Sequence, residues 1–206
     1  MNYEIKLITK EQQKTSTWSG GTTTQLAIYP ENADYGMRNF IWRLSSATVE
    51  ADESVFTSLP GIERIIMILE GEIILEHEGH YKKVLGKFQQ DSFSGSWTTR
   101  SIGQATDFNL MMRDGCQGQL EALVLEKHEW RTITFEGKET FENHVQAIYS
   151  VKGSIILRFP GQQSIQLAQG DMLLIRNDHD WHGINYEIRN MAENNAEVVI
   201  ANIYHK

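Results

Sequence analysis

A repeated strand–glycine–strand segment is the feature that most restricts the fold of this chain. Residues 62–75 read IERIIMILEGEIIL, and residues 144–157, which lie 82 positions later, read HVQAIYSVKGSIIL. Each copy places a glycine, Gly71 or Gly153, between two apolar runs, which predicts a β-hairpin. Ordered matches of this kind favour duplication of an all-β unit of roughly 80–100 residues. The alternative is that two unrelated apolar hairpins resemble each other.

Short apolar runs with a period of two, separated by glycine-containing turns, continue along the rest of the chain. Many short strands at roughly 8–12-residue spacing are typical of a sandwich or a small barrel. The predicted strands are 23–29, 40–49, 62–69, 72–76, 107–113, 120–126, 131–135, 147–151, 154–159, 164–167, 172–175 and 197–204. Residues 188–196 are predicted to form a polar loop or a short helix. The chain is therefore predicted to be all-β.

The composition argues against two classes of partner. Lysine and arginine number 19 against 27 acidic residues, a formal net charge of -8 at pH 7. An acidic surface repels a phosphate backbone, so we expect no nucleic-acid partner. No stretch approaches the roughly 18 apolar residues of a membrane span, and the polar N-terminus lacks the apolar core of a signal peptide. With one cysteine, Cys116, the chain forms no intramolecular disulfide, and we expect a cytoplasmic protein without a membrane partner.

The second half of the chain resembles the cupin superfamily of double-stranded β-helix (jelly-roll) barrels. Gly170-Asp171 followed by residues 172–175 resembles the start of the second cupin motif, and the turn at Gly153 resembles the end of the first. Two such barrels imply a bicupin. We expect an N-terminal barrel at 1–115 and a degenerate C-terminal barrel at 116–206, with an exchange of strands between the halves left open.

Four blocks in the N-terminal half resemble the HutD/Ves family. They are WSGGTTTQ at 18–25, FIWRLS at 40–45, FTSLPGIER at 56–64 and DFNLM at 107–111. Ser19 and Gln25 depart from the family pattern, which has an amide and a carboxylate at these places. The resemblance implies a bicupin that is linked in some bacteria to the control of histidine utilisation and has no established enzymatic activity.

Polar residues on the predicted strand faces suggest a ligand site in the N-terminal barrel. Alternation places Arg43 with Ser45 on one strand face and Asp107 with Asn109 on another, while Arg64 interrupts an apolar face. Guanidinium groups bind carboxylates through two parallel hydrogen bonds, and hydroxyl or amide groups can contact the rest of a ligand. Together with the family blocks, these positions give the predicted ligand-binding residues: Trp18, Thr22, Thr23, Arg43, Ser45, Arg64, Phe93, Asp107 and Asn109.

The histidines do not fit a standard cupin metal site. Such sites combine two histidines two residues apart with a glutamate and a distant histidine, whereas this sequence contains no His-x-His. We therefore predict no metal, no cofactor and no catalytic residue. The segment 177–182 leaves one alternative open, because His179 and His182 with two aspartates could serve a metal-dependent cupin enzyme or an acid–base isomerase or lyase.

The predicted function is that of a non-catalytic, small-molecule-binding bicupin, a regulatory or sensor protein for a small carboxylate or amide metabolite. Urocanate or an acylated glutamate would follow from the family's link to histidine utilisation. Besides the enzyme, a further alternative is an interaction protein whose exposed strand edges form a homodimer.

Overall fold

The structure is a computed structural model that describes residues 3–178 and 183–206. Strands account for 63% of it and helix for 2%, which confirms the predicted all-β class. Within the described ranges the helical content is a single 3-10 turn, Lys10–Gln12, and no helix there has the length and apolar character to cross a membrane. The chain divides into two compact units, an N-terminal barrel at Gln13–Cys116 and a C-terminal barrel formed by Gln117–Lys206 with the residues up to Gln12.

The strands of both barrels are short and connected by tight turns. In chain order they are β1 (Tyr3–Ile8), β2 (Lys14–Trp18), β3 (Gly21–Tyr29), β4 (Trp42–Val49), β5 (Glu53–Val55), β6 (Ile62–Gly71), β7 (Ile73–His77), β8 (Tyr81–Leu85), β9 (Gln90–Ser94), β10 (Thr99–Ile102), β11 (Ala105–Arg113), β12 (Cys116–Leu125), β13 (Trp130–Phe135), β14 (Asn143–Lys152), β15 (Ile155–Arg158), β16 (Ile165–Leu167), β17 (Met172–Asp178), β18 (Ile184–Asn190) and β19 (Ala196–His205).

Each barrel consists of two sheets that share a core. The N-terminal barrel has a six-stranded sheet, β2-β3-β4-β11-β6-β9, and a four-stranded sheet, β5-β10-β7-β8. Ile66 and Phe93 of the larger sheet pack with Leu75 of the smaller one. The C-terminal barrel has a five-stranded sheet, β1-β17-β14-β19-β12, and a four-stranded sheet, β13-β18-β15-β16, with Ile148 and Ile188 in their common core. This arrangement is the predicted jelly-roll architecture.

The N-terminal strand β1 belongs to the C-terminal barrel. It pairs antiparallel with β17, so that Tyr3 lies opposite Asn177 and Ile8 opposite Met172. Tyr3 and Ile5 also pack against the core of that barrel. The compact units therefore differ from the predicted domains, 1–115 and 116–206, chiefly in where residues 1–12 belong.

The strand pairing shows the duplication that the repeat predicts. Strands β4 to β11 and strands β12 to β19 form two sets of eight with the same connectivity. Strand β6 pairs with β9 and β11 as β14 pairs with β17 and β19, and β7 pairs with β8 and β10 as β15 pairs with β16 and β18. Gly71 and Gly153 hold the same place in the two sets, with φ angles of 83° and 81°.

The segment around each of these glycines is not a hairpin, and that prediction was wrong. Strands β6 and β7 lie in different sheets, as do β14 and β15, so the glycine turns the chain from one sheet to the other. At Gly71 a Cβ atom would lie 2.5 Å from the carbonyl oxygen of Gln104, whose backbone comes close at this crossing. An apolar strand–turn–strand pattern does not reveal which sheet the second strand joins.

Strand β18 corrects the prediction for residues 188–196. It runs through Asn190, and the burial of Ile184, Tyr186 and Ile188 alternates as in other strands. Several strands that were not predicted, β2, β5 and β8, expose most of their residues. They therefore lack the apolar alternation by which the other strands were recognised.

Candidate functional site

One face of the six-stranded sheet carries buried polar side chains. Ser45, Arg43 and Arg64 are between 2% and 6% exposed. Met111 on β11 lies opposite both Arg43 on β4 and Arg64 on β6, and Asn109 lies opposite Ser45. Because residues two apart on a strand share a face, these groups project to the same side of the sheet. The barrel interior is therefore polar at the centre of its larger sheet.

These side chains surround a cavity of about 260 Å³. Its walls are formed by Ser16, Trp18, Thr23, Tyr35, Arg43, Ser45, Ala47, Val49, Ser54, Val55, Phe56, Thr57, Arg64, Asp107, Asn109 and Met111. The volume lies just below the roughly 300–1,000 Å³ of pockets for drug-sized ligands, which suits a smaller metabolite. The cavity walls contain no histidine, cysteine or lysine in the part of the chain that the structure describes.

Arg43 is held rigidly in the cavity wall. Its Nε donates a hydrogen bond to Gln25 Oε1 at 2.9 Å, and its Nη1 donates to Ser45 Oγ at 3.1 Å. The guanidinium carbon lies 4.3 Å from the centre of the Tyr35 ring. Burial lowers the pKa of Arg43. Among the described residues no carboxylate forms an ion pair with this guanidinium, so its charge is not neutralised by a neighbour.

Arg64 is less constrained and has no counter-ion in contact. Its guanidinium carbon lies 4.6 Å from the ring centre of Phe56 and 5.2 Å from that of Phe93. The Nε atom is buried and has no hydrogen-bond partner among the described residues. Burial lowers the pKa of Arg64 to about 10, and the charge of Asp107 opposes that shift. A buried cation of this kind is costly unless an anion from outside completes it.

Asp107 and Asn109 present two further polar atoms without partners. The Oδ1 atoms of both side chains are buried and accept no hydrogen bond from the described residues. Burial raises the pKa of Asp107 to about 7, against the opposing effects of Arg64 and of the Ala47 backbone N–H, which donates to this carboxyl group. Each unsatisfied buried polar group costs about 1–3 kcal/mol. Three such atoms therefore lie around one cavity, which makes it the candidate site.

Seven of the nine predicted ligand-binding residues lie in the cavity wall: Trp18, Thr23, Arg43, Ser45, Arg64, Asp107 and Asn109. Trp18 donates from its Nε1 to Thr23 Oγ1 at 3.2 Å. Its ring lies against Gly20, where a Cβ atom would come within 2.1 Å of it. A larger residue at position 20 would therefore displace this tryptophan from its place in the wall.

Thr22 and Phe93 lie outside the cavity wall. Thr22 neighbours Thr23 on β3, and alternation directs their side chains to opposite faces. Phe93 is 3% exposed and belongs to the apolar core, where its ring centre lies 5.2 Å from the guanidinium carbon of Arg64. Neither position is brought into contact with the cavity.

Tyr35 and Phe56 are wall residues outside the predicted ligand-binding set. Tyr35 lies in the connection between β3 and β4, and Phe56 follows the three-residue strand β5. Neither segment carries a strand period, so alternation could not assign a face to them. For Phe56 the signal was its place in the family block at 56–64.

A second buried polar cluster lies in the same barrel. His77 Nε2 is 3.0 Å from Asp91 Oδ2, and His77 Nδ1 is 2.8 Å from Thr99 Oγ1. Asp91 also accepts hydrogen bonds from Lys83 Nζ at 2.9 Å and from the Tyr81 hydroxyl at 3.2 Å. Burial raises the pKa of Asp91, but these donors outweigh it and lower the pKa overall. Because both ring nitrogens of His77 and the carboxylate have partners, the cluster serves the barrel's own structure.

The C-terminal barrel contains a buried polar chain that is likewise closed. The Tyr186 hydroxyl donates to Gln146 Oε1 at 2.7 Å, and Gln146 Nε2 donates to Asn202 Oδ1 at 2.9 Å. Apolar side chains fill the rest of the core. The polar atoms of Gln146 therefore have partners within the barrel.

The described residues do not fit a metal centre. Between residues 3–178 and 183–206, no group of three or more histidine, cysteine, aspartate or glutamate side chains is placed to hold an ion. The alternative enzyme site at His179 and His182 lies outside the described residues.

Comparisons with known proteins agree with this architecture. A family model described as HutD matches residues 10–195. A conserved protein of unknown function from Pseudomonas aeruginosa PAO1 has 22% identity and a TM-score of 0.78, with 98% of this chain and 99% of that chain covered. HutD from Pseudomonas fluorescens SBW25 has 18% identity and a TM-score of 0.69, with 98% and 100% covered. A bacterial pirin from Escherichia coli, in complex with nickel(II), has 14% identity and a TM-score of 0.66, with 98% and 100% covered. These likenesses confirm the cupin-type fold.

Proposed function

Because this chain belongs to the HutD family, we propose that it binds a small carboxylate metabolite in the cavity of its N-terminal barrel and acts as a non-catalytic regulatory or sensor protein. One observation carries the proposal. Two buried guanidinium groups, those of Arg43 and Arg64, face one small cavity, and no carboxylate of the described residues forms an ion pair with either.

A carboxylate is the ligand group that this arrangement suits best. Arg64 keeps its Nε free, so a bound carboxylate would accept a hydrogen bond that no protein group accepts. Charge-assisted bonds between guanidinium and carboxylate are about twice as strong as neutral ones. Asp107 and Asn109 would contact a second polar group of the ligand, such as an amide. A small acid with one such group would provide hydrogen-bond partners for the unpaired polar atoms of the cavity.

The chemistry of the walls supports binding without turnover. Histidine, cysteine and lysine are not among the described wall residues, so Asp107 and Tyr35 are the acid–base groups there, and no thiol or amine nucleophile faces the ligand. The serine and threonine hydroxyls there have no histidine beside them in the cavity to activate them. A regulatory protein needs only that its occupied and empty states differ, and a carboxylate bound beside two buried cations would provide that difference.

The experiment is a thermal-shift screen of wild type, Arg64→Ala and Arg100→Ala. The acids are acetate, urocanate and N-acetylglutamate, each paired with an uncharged amide or ester of the same skeleton. A ligand at 100 times its Kd adds about 2.7 kcal/mol of stability. In a chain of this size that corresponds to a rise of about 5–10 °C in Tm.

We expect an acid, but not its uncharged counterpart, to raise the Tm of wild type and of Arg100→Ala, and to leave that of Arg64→Ala unchanged. Arg100 is a suitable control because it is exposed and pairs with Glu53 and Glu76 outside the cavity. Equal shifts with acids and uncharged counterparts would contradict carboxylate binding. Conversion of the bound acid, followed by NMR, would contradict the non-catalytic role.

A further inference from the structure

Asp107 is the acidic group of the cavity, and among the described residues no cation forms an ion pair with it. Its side chain is 5% exposed, and its Oδ1 atom has no hydrogen-bond partner among those residues. The residues directly opposite on the neighbouring strands are Ala47 and Ile68. These surroundings favour the neutral carboxyl group over the carboxylate.

The other ionisable groups on this side of the sheet either form hydrogen bonds within the barrel or are arginines without an ion-pair partner among the described residues. Arg43 projects from β4 and is bound to Gln25 and Ser45. Arg64 projects from β6 and acts on Asp107 through its charge without touching it. The remaining groups are Tyr35, which lies under Arg43, and on β9 Asp91 with its partners His77, Tyr81 and Lys83.

We propose that a carboxylate enters this cavity together with one proton, which Asp107 holds for as long as the acid is bound. This inference rests on the proposed function. The entering carboxylate brings a second negative charge into a space of about 260 Å³ and takes over the charge of Arg64. Two negative groups that share one buried site repel each other, so the carboxyl group that is already poorly solvated and forms no ion pair with either guanidinium takes up the proton.

The proton also resolves a hydrogen-bonding problem in the wall. Asp107 Oδ1 and Asn109 Oδ1 are both acceptors without a donor, and the two side chains lie on the same face of β11. A neutral Asp107 becomes a donor, either to an acceptor on the ligand or to Asn109. Asp107 thereby sets specificity: an acid that carries a carbonyl oxygen gains a hydrogen bond, whereas an ammonium group would need the ionised form and would bind without the proton.

The experiment measures the protonation of Asp107 directly. Protein labelled with ¹³C at the aspartate carboxyl carbons is titrated by NMR from about pH 5.5 to about pH 8.5, with and without acetate, and Asp107→Asn assigns the signal. Calorimetry with N-acetylglutamate over the same range measures affinity. Both acids stay ionised throughout. Asp91, whose carboxylate accepts three donors, provides an internal control that should not titrate in this range.

We expect the Asp107 signal to titrate near neutral pH in the empty protein and about one pH unit or more higher with acetate bound. The affinity of wild type for N-acetylglutamate should fall about tenfold per pH unit above neutral pH, as uptake of one proton requires. The affinity of Asp107→Asn, which cannot ionise, should be the same at every pH.

Three results overturn the proposal, and they can be told apart. An Asp107 signal that stays at the position of an ionised carboxylate over the whole pH range shows that the group is solvated or paired. A signal that titrates near neutral pH but does not move with acetate, together with a pH-independent affinity for N-acetylglutamate, refutes the coupling while leaving carboxylate binding intact. The absence of a thermal shift with either acid at any pH refutes the proposed function itself.

Discussion

Arg64 and Gln146 occupy the same position in the two copies of the fold, seven residues before the glycine at which the chain crosses between sheets. Arg64 lies opposite Met111 and faces a cavity. Gln146 lies opposite Asn202 and is hydrogen-bonded to it. One copy leaves a cation open to an outside ligand, whereas the other uses its polar group to join its own strands.

The same comparison extends along β11 and β19. Asn109 lies opposite Ile66, and the equivalent strand pair places Ile200 opposite Ile148. At the next position of the same face, Asp107 is matched by Val198, which is fully buried. These matched positions therefore place the polar cavity face in the N-terminal barrel and apolar residues in the C-terminal one.

Replacing Arg64 with methionine should stabilise the ligand-free protein, because the variant fills the same space without burying an unpaired guanidinium. We expect Tm to rise by about 2–4 °C, equivalent to about 1 kcal/mol in a chain of this size. Scanning calorimetry without added acids measures the change. Arg100→Met, which removes two ion pairs at the surface, should change stability by about 1 kcal/mol or less. A lower Tm for Arg64→Met than for wild type would contradict the view that the unpaired guanidinium destabilises the ligand-free protein.

The ligand-free protein should lose stability as the pH rises towards neutrality. The pKa of Asp107 is raised to about 7 in the folded state, whereas an unfolded aspartate titrates near about 3.9. Between these values the folded state holds a proton that the unfolded state has released, so stability falls as the pH rises through this interval, by on the order of 3 kcal/mol. Urea unfolding at about pH 5 and about pH 8 should show a smaller fall for Asp107→Asn than for wild type. The same fall in both proteins would disprove this assignment.

Removing one partner of the His77–Asp91 pair should destabilise the N-terminal barrel severely. Asp91→Ala leaves the buried His77 imidazole without its carboxylate and removes the ion pair of Lys83, and breaking a buried pair in this way costs about 3–5 kcal/mol. Glu76→Ala offers the matched control, because its ion pairs with Arg100 and Lys82 lie at the surface. Chemical denaturation should show a loss of about 1 kcal/mol or less for that control. Similar losses of stability in the two variants would show that the buried cluster stabilises the barrel no more than the surface ion pairs do.

Alanine should be tolerated less well at Gly71 than at Gly153. Both glycines have φ near +80°, where alanine is strained by about 1 kcal/mol or more. At Gly71 the added Cβ would also lie 2.5 Å from a backbone oxygen, while at Gly153 its nearest contacts are the Cβ atoms of Ala192 and Ala196 at 3.2–3.3 Å. Urea unfolding of the two variants compares the costs. An equal loss of stability in the two variants would show that the backbone angle alone determines the cost of the alanine.

Strand alternation was sufficient to predict the centre of the candidate site. Arg43 with Ser45 and Asp107 with Asn109 are spaced by two on strands long enough to show the period, and the structure places all four in one wall. The His77–Asp91 cluster was not predictable in this way. Its members come from four short strands, and only their pairing in space brings them together. Tyr35 was not predicted for a related reason. It lies in a loop, and a loop has no strand period from which the direction of a side chain can be inferred.

The repeat revealed the duplication but not the path of the chain. Matching residues around Gly71 and Gly153 correctly indicated two equivalent segments. Whether the strands on either side of the glycine pair with each other or with partners distant in sequence depends on pairings that a local pattern does not contain. The place of strand β1 is a stronger case, because its partner β17 lies more than a hundred and sixty residues further along the chain.

The pairing of β1 with β17 has a consequence for synthesis on the ribosome. Residues 13–116 form a continuous stretch whose strands are all available once that stretch has emerged. The strand at Tyr3–Ile8 emerges earlier still, yet its partner at Met172–Asp178 is translated near the end. At about 5–20 residues per second, this edge strand stays without its partner for on the order of ten seconds while the rest of the chain is made. During that time strand β1 can pair with a strand other than β17.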